Sequence, residues 1–347
     1  MQLIFHSIRR IILIIEWLLT KALGAIRARI PFLKVKPVVK IFNALNLPHQ
    51  SSSHTLSHGV WINGRIIHEK KPIPADAKDS KWINFRRLAR QWFTREVPNT
   101  DMTIRIGGKG HKVQSDKEGY FQLTAHDVTG SIHMSLDEHP FETEIEVEET
   151  SVIPQYVIIS DVDDTLIETE AKYLPRILKS TLLSNLLTRK LVPGMSKIIN
   201  DLNAEDMNPV FYITSSPWNL HEFLSRLFKQ VKLPAGGIFM PNWGLTPKQW
   251  FKSNYFQHQS DTLNKIQNWF PNSKFILFGD DSQGDHHIYA GFIRMYPDTV
   301  EAVFIRHVAS KQKRKQVEKV IKVLHEEIDK EIMYVISNSK EIRAILG

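Results

Sequence analysis

The feature that most constrains this chain is an apolar segment that ends in a group of acids. Residues 156–159 (Tyr-Val-Ile-Ile) show no alternation of apolar and polar side chains, which is typical of a strand covered on both faces, as in a parallel sheet. Three carboxylates follow, at Asp161, Asp163 and Asp164. Such acids repel one another unless a cation lies among them, and carboxylate oxygens suit Mg²⁺. The alternative is a solvated acidic turn after a buried strand.

Two further segments repeat this pattern. Each is an apolar run followed by polar side chains: residues 209–213 precede Thr214, Ser215 and Ser216, and residues 275–278 precede Asp280, Asp281 and Asp285. The sequence between the three runs is helical in pattern, so the runs should lie in one parallel sheet. Ligands of open α/β sheets bind outside the carboxyl ends of the strands. We therefore expect the three polar clusters to meet at one place.

The amino-acid sequences of these three clusters resemble the motifs of a known family. Asp-Val-Asp-Asp-Thr at 161–165 is similar to the D-x-D-x-T signature of the haloacid dehalogenase phosphatases, and the other two clusters resemble that superfamily's second and fourth motifs. The segments T-S-S-P-W-N-L, P-A-G-G and F-G-D-D-S-Q-G-D-x-x-I-Y are more specific. They resemble the actin-patch-type phosphatidate phosphatases and their bacterial relatives. The resemblance spans about residues 58–308.

The resemblance implies a role for each site residue. Asp161 would be the nucleophile that forms an aspartyl-phosphate, and Asp163 would be the general acid and then the base. Thr214 would hold the transferring phosphoryl group. The other substrate-binding candidates are the backbone N–H groups of Ser215 and Ser216, and Thr165, which is expected mainly to shape its turn. The implied ligands of Mg²⁺ are Asp161, Asp163 through its carbonyl, Asp280 and Asp285, with Asp281 as an alternative to Asp285.

The implied activity is that of a phosphoric monoester hydrolase, which converts phosphatidate into diacylglycerol and phosphate. One position departs from the family pattern, because Gln259 stands where such families place a Lys. Glutamine cannot supply the positive charge that offsets the nucleophile and the phosphate. Lys252 or Lys265 could replace it. Two alternatives stay open: a phosphatase for a soluble phosphomonoester, and a non-catalytic membrane lipid-binding protein with a degraded site.

The positive charge of the chain is concentrated at its start. The 347 residues carry a net charge of +8, and residues 1–40 hold eight basic side chains against one acid. The remainder is nearly neutral, which argues against nucleic acid as the main substrate. Residues 1–33 place apolar side chains at helical spacing, which predicts an amphipathic helix at an anionic membrane surface. A helix packed on the body of the protein, or on a second copy, is the alternative.

The chain contains no cysteine, which excludes disulfides and thiol catalysis and fits a reducing compartment. The predicted location is the cytoplasm, with peripheral attachment to the membrane. The expected partners are phosphatidate or another phosphorylated lipid and the membrane surface itself, and no protein partner is predicted.

Five segments are predicted along the chain: a basic helical leader at 1–48, a Ser/His-rich linker at 49–58, a small antiparallel β-sandwich domain at 59–152, a catalytic α/β domain at 153–308, and a C-terminal amphipathic helix at 309–347. The β-sandwich is predicted from short alternating strands joined by tight turns, one of them at Gly107–Gly108. The resemblance implies that the catalytic domain is a haloacid-dehalogenase-like Rossmannoid parallel sheet. It also implies a small cap within residues 166–208.

Overall fold

The computed structural model describes residues 37–50, 56–68, 95–126, 128, 130–137, 141–146, 153–168, 191–216, 218–241 and 253–346. These residues form two antiparallel sheets and one six-stranded parallel sheet. The predicted amphipathic helix at 1–33 lies outside the described residues, and so do residues 169–190 of the predicted cap.

The two antiparallel sheets share one apolar core. The first contains β1 (Pro37–Gln50), β2 (Leu56–His68), β3 (Arg95–Glu96) and β6 (Tyr120–His126), and the second contains β4 (Asp101–Ile106), β5 (Lys109–Gln114), β7 (Ile132–Leu136) and β8 (Glu142–Ile145). Alternate residues of β4, such as Met102 and Ile104, are buried against Ile62 and Phe121 of the first sheet. This period of two is the pattern from which antiparallel strands were predicted.

The predicted hairpin at Gly107–Gly108 is confirmed, because these two glycines join β4 to β5. Their φ angles are 54° and 85°, in the region that a side chain disfavours. The glycines are therefore required by the turn.

The predicted leader at 1–48 and linker at 49–58 are wrong where the structure describes them. Residues 37–50 form β1, which pairs with β2 from Pro37 opposite His68 to Gln50 opposite Leu56. The backbone N–H and C=O groups are satisfied by this pairing whatever the polarity of the side chains, so a Ser/His-rich sequence can continue a strand. β-branched residues such as Val39 and Ile41 favour the extended conformation. The leader was predicted over this segment from its basic charge, which carries no information about whether a segment is a helix or a strand.

The second half of the chain forms the parallel sheet. Its strands are β9 (Tyr156–Asp161), β10 (Val210–Ile213), β11 (Gly236–Phe239), β12 (Lys274–Asp280), β13 (Val300–Arg306) and β14 (Met333–Ile336), in the spatial order β11-β10-β9-β12-β13-β14. The described helices are α1 (Met195–Asn203), α2 (His221–Gln230), α3 (Ser253–Trp269), α4 (Asp285–Met295), α5 (Lys311–Ile328) and α6 (Ser339–Leu346). Strands and helices alternate, as predicted for a parallel sheet.

Both faces of this sheet are covered. Val157 and Ile159 of β9 pack in one apolar cluster with α3, α4 and α5, while Ile158 packs in a second cluster with α1 and α2. A strand that is buried on both sides needs apolar side chains at every position, which explains the unalternating run in the sequence.

The predicted single C-terminal helix at 309–347 is wrong. Helix α5 ends at Ile328, where Asp329 takes a left-handed conformation with φ 50°. The chain then adds β14 as the sixth strand beside β13, and ends in α6. The amphipathic pattern of α5 identified the helix but not the short strand that follows it. No described helix is long and apolar enough to cross a membrane.

The antiparallel strands are joined directly to the parallel sheet. The side-chain Nδ2 of Asn43 in β1 donates to the carbonyl of Ile238 in β11 at 3.1 Å, and its Oδ1 accepts from the N–H of Ile238 at 2.7 Å. The side-chain amide of Asn43 thus makes the pair of backbone hydrogen bonds that a residue of a neighbouring strand would make with Ile238. Trp61 of β2 stacks on Phe239 at a ring-centroid distance of 5.3 Å. The two sheet systems therefore share a buried junction.

Replacing Trp61 tests how much this junction stabilises the fold. We expect Trp61→Ala to lower the free energy of unfolding by about 3–5 kcal/mol, because it empties a buried aromatic site between Phe239 and Trp269. The control Trp61→Phe should cost clearly less, since Trp61 Nε1 has no hydrogen-bond partner among the described residues. Denaturant unfolding would measure the free energy of unfolding of both variants. An equal decrease in the two variants would contradict the expectation.

Candidate active site

Three carboxylates converge at the carboxyl edge of the parallel sheet. Asp161 ends β9, Asp280 ends the neighbouring strand β12, and Asp285 begins α4. Each offers a carboxylate oxygen, and the three oxygens lie within 4.8 Å of one another. All three residues are fully buried. The structure thus brings together three of the predicted metal ligands from two of the three polar clusters.

The electrostatics of this group are unfavourable without a cation. Burial raises the pKa of Asp161 well above its usual value, and the nearby charges of Asp285 and Asp280 raise it further. Burial and the charge of Asp285 likewise raise the pKa of Asp280. Both oxygens of Asp161 and Oδ2 of Asp280 have no hydrogen-bond partner among the described residues. Buried acceptors in this arrangement fit a divalent cation with oxygen ligands, such as Mg²⁺.

The loop between β12 and α4 is built to bring Asp285 back to Asp280. Asp285 Oδ2 accepts from the backbone N–H of Asp280 at 3.0 Å. A Cβ atom at Gly279 would lie 2.7 Å from that same oxygen, so the close approach requires glycine. Gly284, with φ 103°, makes the turn into α4. The glycines of the F-G-D-D-S-Q-G-D segment therefore set the geometry of the carboxylates.

Asp163 lies beside the second polar cluster. Thr214 Oγ1 donates to Asp163 Oδ2 at 2.8 Å, and Ser215 Oγ approaches the same oxygen at 3.5 Å. The backbone N–H of Ser216 donates to Thr214 Oγ1 at 3.0 Å. The side chain of Asp163 is thus oriented by β10 rather than grouped with the three buried carboxylates. Thr165 is buried at the end of the same turn.

Asp285 and Asp281 were predicted as alternative metal ligands. Asp285 lies in the group of three carboxylates, whereas the carboxylate of Asp281 binds other parts of the chain. Asp281 Oδ1 accepts from the backbone N–H groups of Val308 and Ala309, each at 2.8 Å. Its Oδ2 lies 2.5 Å from His307 Nδ1. Asp281 therefore anchors the segment after β13 to the loop that carries Asp280.

Arg306, the last residue of β13, was missed by the sequence analysis. Its Nη1 donates to the carbonyl of Asp164 at 2.5 Å, and its own carbonyl accepts from the N–H of Asp281 at 3.0 Å. It joins the loop after β9 to the loop after β12, and so helps to fix their separation. The same rule that found the other clusters would have found it, because Arg306 also follows a buried apolar run, residues 302–305.

Gln259 lies in α3 beside the carboxylates and is fully buried. Its Nε2 is 3.5 Å from Asp285 Oδ1. Lys265 does not replace the missing cation, because its Nζ lies 4.0 Å from the centroid of the Trp61 ring, at the junction with the antiparallel sheets. Lys252 lies outside the described residues.

The raised pKa values of Asp161 and Asp280 predict a pH dependence of stability. A carboxyl group whose folded-state pKa lies above its unfolded-state value stabilises the fold at low pH, and this contribution is lost as the pH rises through the folded-state pKa. In the presence of a chelator, we therefore expect the Tm to fall as the pH rises above the ordinary range of a carboxyl group. Asp280→Asn should flatten this dependence, while the exposed control Asp298→Asn should not. A Tm that rises over the same range would contradict the expectation.

Comparison with known proteins supports the chemical class. Residues 156–307 match the family model described as "Phosphatidate phosphatase APP1, catalytic domain". This match confirms the resemblance read from the motifs, and it indicates a phosphatase. The matched segment begins at β9 and ends directly after β13, so it includes Asp161, Asp163, Thr214, Asp280 and Asp285.

A relative among curated proteins is an uncharacterized protein of Schizosaccharomyces pombe, which is 29% identical over 157 residues. The aligned part is 44% of this chain and 25% of the relative, so this chain spans about a quarter of that protein's length.

Carbohydrate esterases are among the solved structures with detectable likeness to this chain. One, described for divergent catalytic and non-catalytic binding functions of its active site, shares 11% identity over 84% of this chain and 98% of its own, with a TM-score of 0.22. A carbohydrate acetylesterase from Xanthomonas citri also shares 11% identity, over 78% of this chain and 71% of its own, with a TM-score of 0.22. At such TM-scores the likeness carries no argument about this chain.

Proposed function

We propose that this protein is a Mg²⁺-dependent phosphatidate phosphatase whose haloacid-dehalogenase-like domain hydrolyses phosphatidate to diacylglycerol and phosphate. The observation that carries this proposal is the group of three buried carboxylates at the carboxyl ends of β9 and β12. It lies within the segment that matches a phosphatase family. Buried carboxylate oxygens without a donor, such as both oxygens of Asp161 and Oδ2 of Asp280, are costly unless they serve a bound cation, and phosphoryl transfer needs such a cation.

In the proposed reaction, Asp161 attacks the phosphorus atom. One of its carboxylate oxygens forms the new P–O bond, while the bond to the glycerol oxygen breaks and that oxygen takes a proton from Asp163. Diacylglycerol leaves, and Asp161 carries the phosphoryl group. Water then attacks the phosphorus and gives its proton to Asp163, so that inorganic phosphate leaves and both residues return to their starting states. A bound Mg²⁺ would neutralise charge on the phosphoryl oxygens and on Asp161.

The contacts of Asp163 and Thr214 support these roles. A general acid must be held within reach of the leaving oxygen, and the 2.8 Å hydrogen bond from Thr214 Oγ1 orients the Asp163 carboxylate. The backbone turn at Thr214, Ser215 and Ser216 follows β10 and precedes a short helical turn that begins at Trp218. We expect N–H groups of this turn to bind the phosphoryl oxygens, and the N–H of Ser216 would then exchange its hydrogen bond to Thr214 Oγ1 for one to the substrate.

The proposed location is the cytoplasmic face of a membrane, with peripheral attachment through the residues of the predicted 1–40 leader that precede β1, which begins at Pro37. The concentration of basic charge in those residues supports attachment to anionic lipid. A non-catalytic lipid-binding protein is the second candidate, and Gln259 favours it, because α3 presents a neutral amide to Asp285 where a cation would stabilise the transition state.

The first test is the release of inorganic phosphate from phosphatidate in mixed micelles, with Mg²⁺ and with a chelator. We expect Mg²⁺-dependent release that Asp161→Asn lowers by about 10³-fold or more, since the amide cannot act as the nucleophile. Asp298→Asn, on the exposed surface, should release phosphate at the rate of the unchanged protein. Undiminished release by Asp161→Asn would exclude the mechanism, and absence of release by the unchanged protein would favour the lipid-binding alternative.

A second test adds the missing charge. Gln259→Lys should raise the rate of phosphate release by about 10-fold or more, because it places a cation beside Asp285. Gln257→Lys is a matched control on the same helix, at an exposed position. The comparison is made at saturating Mg²⁺, since the added cation should also weaken metal binding. If both variants behave like the unchanged protein, Gln259 does not occupy the place of the missing lysine.

A further inference from the structure

The loop of residues 281–284, between Asp280 and Asp285, is bordered by the first turns of two helices. Lys313 Nζ, in the first turn of α5, donates to the carbonyl of Ser282 at 2.5 Å. Phe256, in the first turn of α3, lies beside Gly284, since a Cβ atom there would be 3.0 Å from its ring. Both residues are thus on the edge of the sheet where the three carboxylates lie.

The beginning of α5 is strongly basic. Lys311, Lys313, Arg314 and Lys315 lie within its first five positions, and its first turn contains no acid. The N-terminus of a helix carries a partial positive charge, so cations there oppose the stability of the helix. Lys311 and Lys315 are exposed and one helical turn apart, on the same side. A helix that keeps this unfavourable arrangement is suited to an anionic partner.

Phe256 adds an apolar group to the same edge. It is one of the large apolar side chains that remain exposed, at 36% of its surface. Basic side chains beside an exposed aromatic ring are typical of protein surfaces that lie in the headgroup region of a bilayer. The charges of α5 are spread along more than one helical turn, which fits an extended anionic surface better than a single small anion.

We propose that a surface formed by Phe256, Lys311, Lys313, Arg314 and Lys315, here called the basic rim, binds the surface of an anionic phospholipid bilayer. The inference rests on the proposed function, since a lipid phosphate ester would have to reach Asp161 from the bilayer. Binding through the basic rim turns the carboxyl edge of the parallel sheet toward the headgroups. The opposite end of α5 then faces the aqueous phase.

The absence of cysteine allows a direct test of this orientation. Lys315→Cys carries an environment-sensitive fluorophore in one full-length protein, and Lys330→Cys, beyond the other end of α5, carries it in the matched control. The proteins are mixed with vesicles of phosphatidylcholine alone or with added phosphatidylserine. We expect a blue shift at position 315 with the anionic vesicles only, and none at position 330. No shift at 315, or equal shifts at both positions, would overturn the proposal.

Charge reversal tests the energetic contribution of the rim. At about 1 kcal/mol per lysine near an anionic surface, K311E/K315E should weaken co-sedimentation with the anionic vesicles by about 30-fold or more. K322E/K330E changes the net charge equally at the far end of α5 and should bind much more tightly than K311E/K315E. Because acids are favoured at a helix N-terminus, K311E/K315E should keep or raise the Tm, so that weaker binding is not caused by unfolding.

The proposal would be overturned if both double variants lost vesicle binding equally, or if K311E/K315E bound the vesicles as tightly as the unchanged protein. Complete competition by inorganic phosphate would also overturn it, in favour of a small-anion site. The vesicles contain no phosphatidate, so binding is measured apart from turnover. If binding depends on the rim but phosphatidate is not hydrolysed, the proposed function fails and the rim stands.

Discussion

The repulsion among three buried carboxylates is the interaction around which this protein is arranged. Asp161, Asp280 and Asp285 present oxygens within 4.8 Å of one another, away from water. Each unit of charge placed there raises the free energy of the fold unless a cation compensates it. A site of this kind persists only if the surrounding structure holds the acids in place. The parallel sheet does so, because β9 and β12 are adjacent strands and end at the same edge.

The polar groups around the acids explain how the loops keep their shape. Asp281 accepts two backbone hydrogen bonds and contacts His307, and Arg306 connects the loops after β9 and β12. Thr214 fixes the side chain of Asp163. These contacts come from the end of β10 and from the segment after β13, so the two loops that carry the acids depend on strands on both sides of β9 and β12. Part of that support, at Val308 and Ala309, lies just beyond the segment that matches the phosphatase family.

The parts of the fold that could be predicted from sequence are those that depend on local patterns. The unalternating run at 156–159 identified a strand buried on both faces, and the alternation at 102–106 identified an antiparallel strand. The approach of the three polar clusters followed from the rule that ligands bind at the carboxyl ends of parallel strands. Asn43 and β14 were missed because their roles arise from partners far away in the sequence, whereas the same rule places Arg306 at the edge of the sheet without identifying its partner. Asn43 acts on Ile238 and Arg306 on Asp164, and no periodicity in a single sequence records such pairs.

The amide of Asn43 covers the outer edge of the parallel sheet and so ties that sheet to strand β1. β11 is the outermost strand of the parallel sheet, and the side chain of Asn43 satisfies both the N–H and the C=O of Ile238 on its outer side. A chain that began at β9 would leave this edge bare, together with the apolar face of Phe239 that Trp61 covers. Bare strand edges pair with other chains, which leads to aggregation. The boundary at residue 156 thus marks where sequence similarity to the phosphatase family begins, whereas the hydrogen bonds that cover the outer edge of the parallel sheet come from β1.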